Sequence, residues 1–474
     1  MLRNLIGSDW VEVDATDLPV FNPATADVIE RVPLSASSEV DRAVKAAAGA
    51  SAGWAATPVI ERVRLMFRYK QVLEEHFEEL AAIVTRHHGK TLDEARGEVR
   101  RGIEVVDFAC GAPTLLQGRT LRQVTSDVDQ DLYRYPLGVV AGAPPFNFPV
   151  MIPLWMFPLA VVAGNTFVLK PSERTPLGAV RLAELLLEAG FPPGVLNLVH
   201  GARETFEALI AHPVVRAVSF VGSAPAAQSV YALAAQHGKR VQALGGAKNH
   251  LIVMPDADLD IVVPAILNSA FGNAGERCLA GSVAVAVGSS GELLERVRAG
   301  AEQLRVGPGE DPGVNVGPLI RDEHRARVVQ YIERGVAEGG TLVVDGREHQ
   351  NGPGFFLGPT VIDQVSERMA VGRDEIFGPV LAVSRVDSLE AALAQANSMT
   401  LGNMAVIFTS SGRSARLFRE RIEAGMIGVN VPVAQPFAFY PFSGWKGSFY
   451  GDLHVHGTDG IDFYTQKKVV VSRW

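Results

Sequence analysis

The sequence predicts an α/β protein: two α/β domains built on parallel sheets, with a small β arm for contact with another copy of the chain. Three observations carry this. Helical periods and short apolar strands alternate through most of the 474 residues. Apolar residues make up 47% of the chain and charged residues 20%, enough to bury large cores. Two segments, 123–138 and the carboxyl end, alternate polar and apolar residues as strands with one exposed face do.

Taken in order, 39–58 reads as a helix, and 58–111 as further helices broken near Pro58, Gly89 and Gly111. "TFVLK" (166–170) is a strand, "TPLGAVRLAELLLEAG" a helix ended by Gly190, "VLNLVHG" a strand, "RETFEALIAHP" a helix and "VRAVSFVGS" a strand, giving successive β-α-β units between about 165 and 223. A helix follows in "SVYALAAQHG". After residue 278 the rhythm resumes with the strand "GSVAVAVG", a helix over 291–307, a long helix over 321–340 and the strand "TLVVDG". Residues 1–122 and 139–250 are assigned to the first domain, 251–435 to the second, and 123–138 with 455–474 to the arm. Exposed strands at a chain end invite pairing with another subunit, so a homo-oligomer, dimer or tetramer, is expected.

Composition removes several classes of function. The net charge is −8 without a basic block, which argues against nucleic acid. Two cysteines cannot form a disulfide scaffold, so a reducing, cytoplasmic setting is expected. The opening "MLRNLIGSDWVEVDATD" has no apolar core of signal-peptide length. Residues 150–169 carry no charge and approach membrane-spanning length, but Pro153, Pro158, Gly164 and Asn165 interrupt them. They read as a buried helix leading into a strand, and no membrane is expected.

The chemistry-bearing candidates lie in loops. Cys278, in "AGERCLAG", sits among small residues that leave room for a substrate, with Arg277 adding positive charge; a structural cysteine is the alternative. Cys110, on an apolar helix, reads as core. Asn147, between two phenylalanines in "PFNFP", is either a turn asparagine or a donor to an oxyanion. Lys170 and Glu173 follow a strand, where α/β sheets bind ligands, and suit ribose hydroxyls. Gly222 and Ser223 open a helix whose N–H groups suit a pyrophosphate. Glu375 and Phe377 precede another strand; a solvated loop acid is the alternative for Glu375. His454 and His456, in "HVH", would share one face of a strand, but no third ligand is evident and no metal is expected. His87 and His88 lie near a helix end and suit its dipole.

Together and in order, "PFNFP", "KPSERTP", "FVGS", "GERCLAG", "DEIFGP" and "PFSGWKGS" resemble the aldehyde dehydrogenase superfamily over nearly the whole chain. The resemblance implies a Rossmann-like NAD-binding domain and a catalytic domain. It makes Cys278 the nucleophile and Asn147 the oxyanion donor. Lys170 and Glu173 then bind the adenosine ribose, Ser223 the pyrophosphate and Glu375 the nicotinamide ribose, with Phe146 and Phe377 beside the cofactor. The family usually has a glycine where this chain has Ala227, a mild departure. Hydrolytic members carry "ELGGK", whose glutamate activates water. Here the stretch is "QALGGAKNH", with Ala243 or Leu244 at the glutamate's place, and neither takes a proton. The acyl group on sulfur therefore needs a more acidic acceptor, which points to the thiol of coenzyme A.

"GAKNH", "GERCLAG", "MIPLWMFP" and the ending resemble one subgroup, the CoA-acylating methylmalonate-semialdehyde dehydrogenases, which also accept malonate semialdehyde. That resemblance implies oxidation, loss of CO2 and release of propionyl-CoA or acetyl-CoA. A carboxylated substrate calls for an arginine. Arg277 lies beside the nucleophile, and Arg101 matches a subgroup arginine, although alone it reads as a surface helix residue. Two other readings remain: a hydrolytic NAD(P)-dependent dehydrogenase for a small aldehyde, and a non-redox cysteine acyltransferase.

Overall fold

The computed structural model describes residues 1–349 and 352–474. Five parallel strands form the centre of an eight-stranded sheet: Leu196–Leu198, Thr166–Leu169, Val139–Ala143, Val215–Val221 and Arg240–Leu244. Counted along the chain from Val139, they lie in the order third, second, first, fourth, fifth. The order therefore reverses between Val139–Ala143 and Val215–Val221, and the helices leave the sheet on opposite faces there. A crevice opens at the carboxyl ends of these two strands. The amino-terminal hairpin Asn4–Ile6 and Asp9–Val11 extends the sheet antiparallel on one side, with Asp9–Val11 at the edge, and the late strand Phe449–Gly451 closes it antiparallel on the other.

A second, seven-stranded sheet runs Thr341–Val344, Thr360–Asp363, Val380–Val386, Gly281–Val287, Asn249–Val253, Met404–Phe408 and Met426–Val429. Only its Thr341–Val344 edge is antiparallel. Its central strands are β-branched and alanine-rich and buried on both faces, as parallel strands between helix layers must be.

The helix Met151–Val162 is buried at every residue. Pro153 falls in its first turn, where no intrahelical N–H is lost. It is the charge-free segment of the sequence, and it packs inside the protein. The helix Leu92–Cys110 crosses it closely because Gly102 has no side chain: a Cβ there would sit 2.7 Å from Leu154 Cδ1. A capping box starts that helix, Thr91 Oγ1 accepting from Glu94 N and Glu94 Oε2 from Thr91 N. Among the described residues no helix is long and apolar enough to cross a membrane.

Several local expectations need correction. Residues 123–138 are not one strand: Arg119–Thr125 and Val128–Pro136 form a hairpin turned at Asp127, whose φ is +64°. At the carboxyl end, Gly457–Phe463 is helical and only Thr465–Arg473 is a strand, pairing with Val128–Pro136. The helix forms because Ile461, Phe463 and Tyr464 are all buried against the core, a helical rather than alternating pattern. The helical run before Gly89 breaks also at His76. His454 and His456 do not share a strand face: His454 stacks on Phe449, while His456 is buried edge-on to Trp155. His87 and His88 are both buried, and burial lowers their pKa, His87 to about 3, so they are neutral and give no charge to a helix dipole.

Candidate active site

The carboxyl ends of the first sheet face the amino ends of the second. The loop after Val139–Ala143 carries Phe146 and Asn147, the loop after Thr166–Leu169 carries Lys170 and Glu173, and Ser223 follows Val215–Val221. From the second sheet, Cys278 precedes Gly281–Val287, and Glu375 and Phe377 precede Val380–Val386. All eight line one cleft of about 710 Å³. A smaller cavity of about 220 Å³ is lined by Arg101, Arg277 and again Cys278. The thiol thus borders both spaces, and the two cavities together hold Phe146, Asn147, Lys170, Glu173, Ser223, Glu375, Phe377, Arg101 and Arg277 around it, whereas Cys110, His87, His88, His454 and His456 line neither.

The nucleophile loop is held by its backbone. Asn273, Ala274 and Gly275 all have left-handed φ, at +56°, +51° and +73°. Such a turn is strained for non-glycine residues and persists only when its surroundings enforce it. Here Glu94 accepts from Asn273 N at 2.6 Å, and Asn273 Nδ2 donates to Glu276 O at 2.8 Å. Gly275 is required, since a Cβ would sit 2.1 Å from Gly378 O. The Cys278 carbonyl accepts from Asn249 Nδ2 at 2.9 Å and Asn403 Nδ2 at 2.8 Å. Asn147 Nδ2 donates to Glu276 O at 2.8 Å, which brings the amide to the nucleophile loop with its second hydrogen to spare.

The expectation that Arg277 activates the thiol is outweighed. Burial, reinforced by the Glu375 charge, pushes the Cys278 thiol up to about 12; Arg277 and the Cys278 and Leu279 amides oppose this only in part. Arg277 donates instead to Gly272 O at 3.1 Å and to Asn268 O, and so braces the loop. Arg101, Glu94 and Glu98 recur at helical spacing on Leu92–Cys110, so one face of that helix walls the small cavity. Arg101 bonds Glu104 at 2.9 Å, and its guanidinium lies 4.6 Å from the centre of the Phe437 ring.

In the large cleft, Lys170 Nζ donates to Glu173 Oε2 at 3.1 Å. Burial alone would raise the Glu173 carboxyl, but Lys170 and neighbouring donors hold it below its ordinary value. Ser223 caps the helix Ala224–Gln236 without a side-chain bond, leaving its exposed hydroxyl and the first-turn amides facing the cleft. Glu375 Oε1 accepts from Ala247 N at 2.8 Å. Gly246 permits this approach, since a Cβ there would sit 2.4 Å from Glu375 Oε2. Burial raises the Glu375 carboxyl to about 7. Phe377 has φ +60°, its carbonyl accepts from His324 Nε2 at 2.6 Å, and its ring packs edge-on to Phe146.

At the place of the missing glutamate, Ala243 and Leu244 are buried and apolar. Each carboxylate that lines the cavities accepts at least one hydrogen bond: Glu94 from Asn273 and Thr91, Glu98 from Lys90, and Glu173, Glu207 and Glu375 through one oxygen each from Lys170, Arg203 and Ala247. Sequence reasoning missed Lys90, Glu98, Asn273 and Asn403. It also missed the apolar part of the cleft wall formed by Phe206, Pro225, Val230 and Leu233.

The sequence model of the aldehyde dehydrogenase family matches residues 10–470. The chain is 54% identical over its whole length to malonate-semialdehyde dehydrogenase 1 of Geobacillus thermodenitrificans, covering 99% of that protein, and 55% identical to malonate-semialdehyde dehydrogenase 2 of Geobacillus kaustophilus, again covering 99%. It superposes with a TM-score of 0.99 on the methylmalonate-semialdehyde dehydrogenase of Oceanimonas doudoroffii, 47% identical, covering 100% of this chain and 98% of that one. It matches equally well a Sinorhizobium meliloti structure, described as a methylmalonate-semialdehyde dehydrogenase in complex with NAD, at 43% identity with the same coverage. With the motif order, the fold and the paired cavities in agreement, the chain belongs to the aldehyde dehydrogenase family.

Proposed function

We propose that the chain catalyses NAD-dependent oxidation of malonate or methylmalonate semialdehyde, with loss of CO2 and acyl transfer to coenzyme A, giving acetyl-CoA or propionyl-CoA. The observation that carries this reading is Cys278 on the shared wall of two cavities, a long one with ribose-type and phosphate-type donors and a small one with two arginines. The names of its relatives support the same substrate class.

The cleft fits a dinucleotide. Lys170 and Glu173 would hold the adenosine ribose, the amino end of Ala224–Gln236 with Ser223 the pyrophosphate, and Glu375 the nicotinamide ribose, with Phe146 and Phe377 beside it. NAD, when bound, supplies the hydride acceptor. The Glu173 carboxylate disfavours a 2′-phosphate and so favours NAD over NADP. Arg101 and Arg277 meet the substrate carboxylate in the small cavity. Cys278 gives up its thiol proton to solvent in the cleft and attacks the aldehyde carbon as the thiolate. The free N–H of the Asn147 amide and the Cys278 backbone N–H receive the oxyanion. Loss of hydride leaves an acyl thioester on Cys278. The β-carboxylate then leaves as CO2, its electrons passing to the thioester carbonyl before a proton returns to carbon. With Ala243 and Leu244 at the place of the glutamate that activates water in hydrolytic members, the CoA thiol takes the acyl group, its proton passing to the departing Cys278 sulfur.

The three-stranded arm leaves Val469, Val471 and Leu121 exposed on one face. A free apolar face of this kind supports a homo-oligomer, a dimer or tetramer. The test of function is NADH formation from malonate semialdehyde with and without CoA, together with released CO2. Equal turnover in both, with malonate as product, would exclude the acylating reading.

A further inference from the structure

We propose that the buried Lys90–Glu98 pair is a positioning device for Asn147, a role that rests on the reading of Asn147 as the oxyanion donor. Both side chains are fully buried, with Lys90 Nζ 2.7 Å from Glu98 Oε2. The same ammonium donates to the backbone carbonyl of Asn147 at 2.7 Å and lies 4.1 Å from the centre of the Phe148 ring. The other Glu98 oxygen accepts from Val150 N at 2.8 Å and Met151 N at 3.2 Å, the amides that open the buried helix Met151–Val162. One ion pair therefore grips the chain on both sides of the oxyanion loop.

Stability alone does not call for it. A buried ion pair does no better than a well-packed apolar pair of the same size, because both charges lose their water. What the pair adds is a fixed distance. Lys90 is itself locked against the second half of the molecule: a Cβ on Gly309 would sit 2.2 Å from Lys90 O, one on Gly317 would sit 2.1 Å from Gly89 O, and Leu92 N donates to Gly309 O at 3.0 Å. From the opposite side, Asn147 Nδ2 reaches Glu276 O in the nucleophile loop at 2.8 Å. The Asn147 backbone is thus tied through Lys90, its side chain through Glu276, and the amide hydrogen left over has a set place relative to Cys278. Lys90 does not donate to the oxyanion in this scheme; it acts through Asn147.

The test uses the full-length enzyme and the double variant Lys90→Met with Glu98→Gln, which removes both charges together and leaves an amide oxygen for Val150 N and Met151 N. The readout is the first-turnover NADH burst with propanal, which has no carboxylate to involve Arg101. Freeing the loop by about 1 Å should slow the burst roughly 100-fold. Alkylation of Cys278 by iodoacetamide forms no oxyanion, so its rate should stay at the parent value, as should NAD affinity. In an Asn147→Ala background the same pair of substitutions should cost less than about 3-fold, because the group being positioned is gone. A wild-type burst in the double variant, an equal fold-loss in both backgrounds, or alkylation slowed by the same factor would overturn the inference. An Asn147→Ala enzyme with a wild-type burst would instead overturn the reading of Asn147, and this inference with it.

Discussion

Replacing Arg101 by Leu separates substrate recognition from chemistry. The guanidinium lines the small cavity, shares one nitrogen with Glu104 at 2.9 Å and is 32% exposed. A charge-assisted hydrogen bond to a carboxylate contributes about 1.5–3 kcal/mol. Partial exposure and the competing Glu104 place this one at the lower end, about 1.5–2 kcal/mol, or roughly a 10- to 30-fold loss in kcat/KM. The loss should fall mainly on KM, since the carboxylate contact precedes attack by the thiol. Propanal fills the same cavity without a carboxylate, so its kcat/KM should change by less than about 3-fold. The assay is NADH formation with saturating NAD and CoA on both substrates. Equal losses would refute the carboxylate role and leave Arg101 as a structural residue paired with Glu104. Arg277 is a poorer probe, because its guanidinium also braces Gly272 and Asn268.

Two further outcomes follow from buried carboxyls. Burial raises Glu276 from 4.5 to about 8, and one of its oxygens has no hydrogen-bond partner. The folded chain therefore holds this proton over a pH range where the unfolded chain has lost it, and stability falls as pH rises from about 4.5 to about 8. Glu276→Gln should flatten that fall, by an amount of the order of a few kcal/mol; unfolding curves across this range check it, and an unchanged slope would contradict it. Glu375 contributes to the raised pKa of the Cys278 thiol. Glu375→Gln should accordingly speed iodoacetamide alkylation of the NAD-free enzyme near about pH 9, where thiolate is limiting, whereas a slower reaction would show that the carboxylate aids ionisation.

Much of the site was legible because the chemistry sits at strand ends. "PFNFP", "KPSE" and "FVGS" each follow a strand of the first sheet, and the reversal of strand order brings them together without any help from distant sequence. Cys278 and Glu375 were legible as motifs, although they stand at the amino ends of their strands, where no general rule points. The supports were not legible. Lys90 lies in the short link before the helix Leu92–Cys110 that carries Glu98, and nothing local distinguishes a fully buried ion pair from a solvated one. Asn403, alone before an apolar strand, offered a faint signal: a buried amide there needs a partner, which proved to be the Cys278 carbonyl. The hairpin at Asp127 was readable in principle, since aspartate tolerates the left-handed conformation. His87 and His88 misled because their spacing resembles a dipole-facing end, while burial decides their charge.

The decisive measurement is a stopped-flow trace of NADH from malonate semialdehyde in the absence of any added thiol. With Ala243 and Leu244 at the place of the water-activating glutamate, a burst should approach one NADH per active site and then stall, until added CoA restores steady turnover. A linear trace without CoA, accumulating free acid at the CoA-supported rate, would contradict the account.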